Sequence, residues 1–143
     1  MLDLSCRKKI AKVSCAEDSA VQTEKEDMSK ERSSYYIVTD RWQKFTDEPL
    51  SEELLEKLSS YADEFLVHAV DVEGKASGVE RELVALLAKC VSIPITYAGG
   101  VGSYEDIEVI REIGKGQVNV TIGSALDLFG GKLEFERVLS MMD

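Results

Sequence analysis

Two glycine-containing segments near the C-terminus could bind a phosphate group. Thr96–Ser103 (TYAGGVGS) and Val118–Ala125 (VNVTIGSA) each pass from a β-prone run through small residues toward an amphipathic helix. In a parallel barrel, two consecutive strand-to-helix loops lie side by side, and their backbone N–H groups and helix N-termini can surround one phosphate. A Gly-Gly pair alone also serves tight turns, so the evidence is the pair of loops. The residues predicted to form this site are Gly99, Gly100, Gly123 and Ser124.

Acidic side chains near strand ends could hold sugar hydroxyls or transfer protons. Asp71 and Glu73 follow the strand predicted at 64–70, at the end where barrel enzymes have their active sites. We expect one of the two carboxylates to hold a substrate hydroxyl or order the loop, and the other to be solvated. Asp3 lies in a short strand, on the same face as Ser5. By spacing alone, such an aspartate is more often an end-of-strand residue than a catalyst.

The single tryptophan and the single histidine also require interpretation. Trp42 follows Arg41 in the polar and aromatic run 40–45, so packing in the core and facing a ligand are both open. His68 lies in the middle of a strand with little polar alternation. For His68 we expect a buried, hydrogen-bonded core position.

The elements that must position these residues alternate between strands and helices. Ser51 is the predicted N-cap of the first helix, and Ser103 with Asp106 resembles a capping box for the third. Asp127 and the pair Gly130-Gly131 are expected to cap and turn the chain into the last helix. The predicted strands cover 2–5, 35–39, 64–70, 93–97 and 118–122, and the predicted helices cover 51–61, 79–90, 103–114 and 135–142. This alternation is typical of a parallel α/β sheet.

Size and composition limit the possible functions. The chain has 143 residues, whereas a complete (β/α)8 barrel needs roughly 200 to 250. Its net charge of −10 argues against nucleic acid and anionic membranes as partners. The three cysteines have no regular spacing, which favours a reducing compartment over a disulfide framework or a zinc site. No apolar run approaches the ~20 residues of a membrane span.

Five blocks of the sequence occur together in one order: 2–9 (LDLSCRKK), 37–45 (IVTDRWQKF), 65–74 (FLVHAVDVEG), 97–100 (YAGG) and 121–131 (TIGSALDLFGG). In these blocks the chain resembles one enzyme family of histidine biosynthesis, the eukaryotic and most closely the plant phosphoribosylformimino-5-aminoimidazole carboxamide ribotide isomerases. The resemblance implies that 1–143 is the C-terminal half of a (β/α)8 TIM barrel, strands five to eight with their helices. Residues 11–32, poor in large apolar side chains, would be a disordered insertion.

The resemblance also implies a reaction and its residues. The family performs an Amadori rearrangement of an aminoaldose with two phosphates, using two aspartates and no metal or organic cofactor. The general acid would be Asp3, or Ser5 if the alignment slips by two residues; we favour Asp3 because the role needs a carboxyl group. Arg41 and Trp42 would face the imidazole carboxamide. The base belongs to strand one, which has no counterpart here, so the chain is expected to be inactive without the N-terminal half. In a plant the location would be the plastid stroma, and otherwise the cytoplasm.

Two other functions are consistent with the sequence. A non-catalytic half-barrel would bind phosphate at most, and its two open sheet edges would favour self-association. The related cyclase of the same pathway shares the barrel and two aspartates, but the sequence segments LDLSCR and LDLFGG argue against the cyclase.

Overall fold

The computed structural model describes residues 1–11, 32–39, 41–90 and 92–142. Between its end residues Ala11 and Arg32, the predicted insertion lies outside the described residues. The strands found in these ranges are β1 (Leu2–Ala11), β2 (Arg32–Thr39), β3 (Lys44–Pro49), β4 (Phe65–Ala69), β5 (Ile95–Ala98) and β6 (Val118–Thr121). The α-helices are α1 (Glu52–Ser59), α2 (Arg81–Leu87), α3 (Tyr104–Ile113) and α4 (Phe135–Met142), with short 3₁₀ helices at Val70–Val72 and Asp127–Phe129.

The strands form one sheet in the order β3-β2-β1-β4-β5-β6. Strands β1, β4, β5 and β6 are parallel, which confirms the predicted parallel α/β arrangement. Strands β2 and β3 add an antiparallel ribbon beside β1. The free edges among the described strands are therefore β3 and β6, not β1, whose second edge is covered by β2.

Strand β1 is longer than the predicted run 2–5 and has two different partners. From Leu2 to Cys6 it pairs with β4, and from Cys6 to Ala11 it pairs with β2. The charged stretch after Cys6 is extended because the ribbon pairs its backbone, and because the Lys9 ammonium lies 5.5 Å from the ring centroid of Tyr36. The antiparallel ribbon thus continues beyond the carboxyl ends of the parallel strands.

The two faces of the parallel strands differ in composition. Leu4, Val67 and Tyr97 lie in one row across the sheet and are buried in the core with apolar residues of all four α-helices. The opposite side, here called the polar face, carries two rows. These rows are Ser5–His68–Ala98–Thr121 and Asp3–Leu66–Thr96–Asn119. The prediction that Asp3 and Ser5 share one face of the strand is confirmed, and Leu4 lies on the other face.

The predicted helix starts are confirmed where a polar cap fixes them. Ser51 Oγ accepts a hydrogen bond from the Leu54 N–H at 3.1 Å, and Ser103 forms the full capping box with Asp106. The predicted end of the first helix at Tyr61 is wrong, because α1 ends at Ser59 and the tyrosine is 81% exposed. No helix within the described ranges is long and apolar enough to cross a membrane.

Candidate functional site

A cavity of about 160 Å³ lies at the carboxyl ends of β4, β5 and β6. All four residues predicted to bind phosphate line it, together with Glu73 and His68. The loops that were paired from sequence are therefore neighbours in the structure, and they surround a common space. The four predicted residues that line it are Gly99, Gly100, Gly123 and Ser124.

The Gly99-Gly100 pair is required by the backbone around this cavity. Gly99 and Gly100 have φ angles of +127° and +77°, which side chains of L-residues rarely adopt. The Gly78 N–H donates to the Gly100 carbonyl at 3.0 Å, and a Cβ on Gly100 would clash with the Gly78 carbonyl oxygen. These glycines allow the loop after β4 to pack directly on the loop after β5.

The two loops lead into their helices differently. After β5, α3 begins at once, but the N–H groups of Gly102 and Ser103 both donate to Asp106 Oδ2, at 2.9 and 3.0 Å. A phosphate would have to use other N–H groups of these loops. After β6 the short 3₁₀ helix at Asp127–Phe129 comes first, and the helix predicted at 135–142 follows as α4. Asp127 then caps α4, as predicted, by accepting from the Phe135 N–H at 3.1 Å.

One negatively charged side chain, that of Glu73, borders the cavity. A Cβ on Gly99 would lie 3.3 Å from Glu73 Oε2, so this carboxylate borders the glycine loop. Among the described residues that line the cavity, none is a lysine or an arginine. A bound phosphate would depend on backbone dipoles, while Glu73 is suited to accept hydrogen bonds from sugar hydroxyls.

A second cluster lies on the polar face beside the cavity. The Trp42 indole N–H donates to Ser5 Oγ at 2.9 Å, and its ring lies 6.4 Å from the His68 ring, centroid to centroid. His68 Nε2 is 3.9 Å from Asp3 Oδ1. Asp3 is mostly exposed and does not line the cavity, which it approaches through His68. The structure thus brings both candidates for the acid, Asp3 and Ser5, to one cluster with Trp42.

The expectation of a hydrogen-bonded core position for His68 is wrong. Strand alternation turns its side chain to the polar face, where it is 23% exposed. Its Nδ1 is buried, and within the described part of the chain it has no hydrogen-bond partner. The single histidine therefore belongs to the candidate site rather than to the core.

Trp42 lies in a strained turn at the tip of the ribbon formed by β2 and β3. Arg41 and Trp42 have φ angles of +54° and +69°, a region that costs about 1–3 kcal/mol per residue for side chains other than glycine. Trp42 is 41% exposed on the polar face, so of its two interpretations the structure favours a ligand-facing position over core packing. Arg41 beside it is exposed.

The two acidic residues after β4 have different surroundings. Asp71 Oδ1 accepts from Arg7 Nε at 2.9 Å, and Asp71 Oδ2 accepts from the Lys8 N–H at 2.9 Å. Both carboxylate oxygens of Asp71 are engaged with β1, which matches the loop-ordering alternative. Glu73 is exposed, as expected for the solvated carboxylate of this pair, and it also borders the cavity.

Sequence reasoning missed a polar network that joins β2, β5 and the residue before α2. The Tyr35 hydroxyl donates to Glu80 Oε2 at 2.7 Å, and the Glu80 N–H donates to the Tyr97 hydroxyl at 3.0 Å. Burial raises the pKa of both tyrosines above their ordinary range and, with smaller effects of Asp71 and Glu80, that of the Cys6 thiol to about 12. These partners are far apart in sequence, so no local pattern could reveal them.

Parallel strands with a helix-packed face, and with successive loops around one cavity at their carboxyl ends, define part of a (β/α)8 barrel. A family model described as histidine biosynthesis protein matches residues 8–134. The chain therefore belongs to the histidine biosynthesis protein family.

Three similar proteins are each named 1-(5-phosphoribosyl)-5-((5-phosphoribosylamino)methylideneamino)imidazole-4-carboxamide isomerase. The chloroplastic protein of Medicago truncatula is 50% identical over 140 residues, which cover 98% of this chain and 38% of that protein. The protein of Neurospora crassa is 46% identical over 98 residues, which cover 68% of this chain and 38% of that protein. The protein of Yarrowia lipolytica is 36% identical over 140 residues, which cover 94% of this chain and 45% of that protein. The chain thus spans less than half the length of these relatives.

Proposed function

We propose that this chain supplies the C-terminal half of an intramolecular isomerase in histidine biosynthesis, which converts a bisphosphorylated aminoaldose into an aminoketose. The observation that carries the proposal is the 50% identity to the Medicago truncatula isomerase over nearly the whole chain. The site supports it, because the two glycine loops, the Glu73 carboxylate and the Trp42 ring lie near the carboxyl ends of the parallel strands. If the source is a plant, we propose the plastid stroma as its location, since that relative is chloroplastic.

The proposed mechanism is an Amadori rearrangement by proton transfer. Asp3 protonates the ribose ring oxygen, the ring opens to an imine, and a base then removes the C2′ proton to give an enaminol. The enaminol takes up a proton at C1′ and loses the proton of its C2′ hydroxyl, which gives the aminoketose. His68, 3.9 Å from the Asp3 carboxylate, orients the acid. The base would come from the part of the barrel that precedes the matched region, so the chain alone is expected to be inactive. These proton transfers do not call for a metal or an organic cofactor.

The remaining residues bind the substrate in this proposal. Trp42 stacks on the imidazole carboxamide, with Arg41 beside it, and Glu73 accepts hydrogen bonds from a sugar hydroxyl. Asp71 acts on the same region through the loop that it orders. One phosphate lies on the backbone of the two glycine loops, formed by Gly99, Gly100, Gly123 and Ser124.

The proposal is tested by turnover of the isomerase substrate. The purified chain is assayed alone and with a second polypeptide, the segment of the Medicago truncatula relative that precedes the matched region. Activity is expected only with both polypeptides present. A folded complex of the two that binds substrate but has no turnover would instead identify a non-catalytic half-barrel, the second candidate that the partial coverage of 38% allows.

The acid assignment is tested in the complemented enzyme by Asp3→Asn, with Ser5→Ala as the matched variant. Asp3→Asn is expected to lower kcat about 10²–10⁴-fold with little change in KM, because the carboxyl proton is lost while the shape is kept. Ser5→Ala removes the partner of the Trp42 indole and is expected mainly to raise KM. A large loss of kcat in Ser5→Ala, with a change mainly of KM in Asp3→Asn, would assign the acid to the position of Ser5.

A further inference from the structure

We propose that Arg7 is a positioning residue that fastens the turn 41–43 to the parallel sheet and so holds the Trp42 ring beside Ser5 and His68. The inference deepens the proposed function, and it rests on that function only for the statement that Trp42 contacts the substrate. The fastening itself follows from contacts of the described residues.

Arg7 contacts three separate parts of the chain with one planar group. Its Nε donates to Asp71 Oδ1 at 2.9 Å, and its Nη1 donates to the Trp42 carbonyl at 3.4 Å. The guanidinium carbon also lies 5.3 Å from the centroid of the Phe45 ring, on the strand that leaves the turn. A guanidinium can serve two acceptors in different directions and still lie over an aromatic ring, which an ammonium group does less well.

The Asp71 end of this connection is fixed and the Trp42 end is strained. Asp71 is held by the backbone N–H of Lys8 as well as by Arg7, so it belongs to the junction of β1 and β4. Arg41 and Trp42 are in the left-handed backbone region, which neither residue favours. The turn therefore needs contacts from outside itself to keep this conformation. The described contacts that reach Trp42 from β1 are those of Arg7 and of Ser5.

The contacts of Trp42 affect substrate binding, because they orient its aromatic ring before a substrate binds. With its carbonyl held by Arg7 and its indole N–H held by Ser5, Trp42 is fixed at two points. A planar heteroaromatic group that stacks on this ring would meet it already oriented, so the binding free energy is not reduced by ordering the turn. Loss of Arg7 should therefore raise KM more than it lowers kcat.

The test uses the fluorescence of the chain, because Trp42 is its single tryptophan. Arg7→Gln is expected to shift the emission to longer wavelength and to increase quenching by acrylamide, with far-UV circular dichroism unchanged. The matched control is Lys9→Gln. It removes the same charge from the same strand and also a cation over the Phe45 ring, but it leaves the Trp42 and Asp71 contacts intact. This control should keep the wild-type emission.

Unchanged emission and quenching in Arg7→Gln would overturn the proposal, and so would an equal change in Lys9→Gln. If Arg7→Gln does not fold, Arg7→Lys decides: it keeps the charge beside Asp71 and should shift the emission in the same direction by a smaller amount. No shift in Arg7→Lys would then overturn the proposal. In the complemented enzyme, a several-fold rise in KM with kcat nearly unchanged is expected for Arg7→Gln. If Arg7→Gln shifts the emission but even the wild-type complex has no turnover, the positioning role of Arg7 is supported and the isomerase function is refuted.

Discussion

The Glu73 carboxylate is the residue that most restricts what the cavity can bind. It borders the glycine loop, and no lysine or arginine among the described lining residues offsets its charge. Its position is suited to a neutral hydroxyl group and opposes a phosphate dianion nearby. A substrate that carries both groups would have to place them at different ends of the cavity.

Replacing Glu73 by Gln should therefore strengthen the binding of inorganic phosphate. Removing one negative charge at close range is worth about 1 kcal/mol, or roughly fivefold in affinity, when water screens part of the interaction. A phosphate titration followed by the amide NMR signals of Gly99, Gly100, Gly123 and Ser124 measures it. Glu108→Gln, an exposed change of equal charge on α3, is the control and should leave the affinity unaltered. Weaker phosphate binding by Glu73→Gln, or amide NMR signals that phosphate leaves unchanged in every variant, would contradict the proposed phosphate site.

Gly100 allows a second prediction, because the effect of its positive φ can be separated from the effect of a Cβ contact with the Gly78 carbonyl. Gly100→Ala should destabilise the fold by roughly 2–4 kcal/mol, since a Cβ meets both an unfavourable φ and the Gly78 carbonyl. Gly116→Ala has a φ of +69° but open space around its Cβ, so it should cost only about 1 kcal/mol. Urea denaturation followed by circular dichroism gives both values. Equal losses would mean that the contact between the two loops adds nothing to stability.

At the level of elements, hydrogen bonds of two tyrosines join β2, β5 and the residue before α2, and the buried Cys6 thiol of β1 donates to the His68 carbonyl of β4 at 3.4 Å. Cys6 lies on β1, Tyr35 on β2 and Tyr97 on β5, and Glu80 binds both tyrosines. The thiol of Cys6 has its pKa raised from 9.0 to about 12, chiefly by burial. The folded chain therefore keeps a thiol proton that the unfolded chain releases above pH 9.

The free energy of unfolding should fall as the pH rises from about 9 toward 12. In this range the unfolded state binds fewer protons than the folded state, so each pH unit removes up to about 1.4 kcal/mol per thiol, and the tyrosines add to the decline at its upper end. Below pH 9 the effect is absent. Urea denaturation at about pH 8 and about pH 10.5 measures it. Cys6→Ala should be less stable throughout but should lose less on going to high pH; equal losses in both proteins would contradict the role of the thiol.

Elements fixed by local interactions were predictable, and those fixed by distant partners were not. The caps at Ser51 and Ser103 involve residues within four positions, so their sequence signals matched the observed helix starts. Strand β3 (KFTDEP) has no apolar alternation of its own. It forms because it pairs with β2 and because the Thr46 hydroxyl donates to the Ile37 carbonyl.

The same distinction applies to the candidate site. The glycine loops and Glu73 could be placed because every parallel strand ends at the same edge of the sheet. The ion pair of Arg7 with Asp71 joins residues 64 positions apart and has no sequence signature. The role of His68 was misjudged because a strand buried on both faces was assumed, whereas one face of this sheet is polar and partly exposed.

At the level of the whole molecule, the sheet is open at β6 and on its polar face. A further cavity of about 230 Å³ lies along β6, lined by Val118, Val120 and Met141 among others. Leu139 and Met142 of α4 are each 50% exposed. We propose that this edge pairs with the strands that complete the barrel, or, in their absence, with a second copy of the chain.

The segment 12–31 should be replaceable without loss of the fold. Its neighbours Ala11 and Arg32 are paired with each other, so the chain is already closed at this point by the ribbon. Substituting residues 12–31 by Asn-Gly, the sequence preferred in a two-residue hairpin turn, should leave stability unchanged or raise it by up to about 2 kcal/mol, because loop closure then costs less entropy. Thermal unfolding of the shortened chain measures this. An unfolded product would show that the segment contributes contacts to the fold.

The pairing of Cys6 on both sides links two hydrogen-bonded systems through one residue. The ladder with β4 ends at Cys6, and the ladder with β2 begins at the same residue. Cys6 therefore has a strand partner on both sides, whereas the two ends of β1 each have a partner on one side. We expect the amide hydrogens around Cys6 to exchange with solvent more slowly than those at either end of the strand.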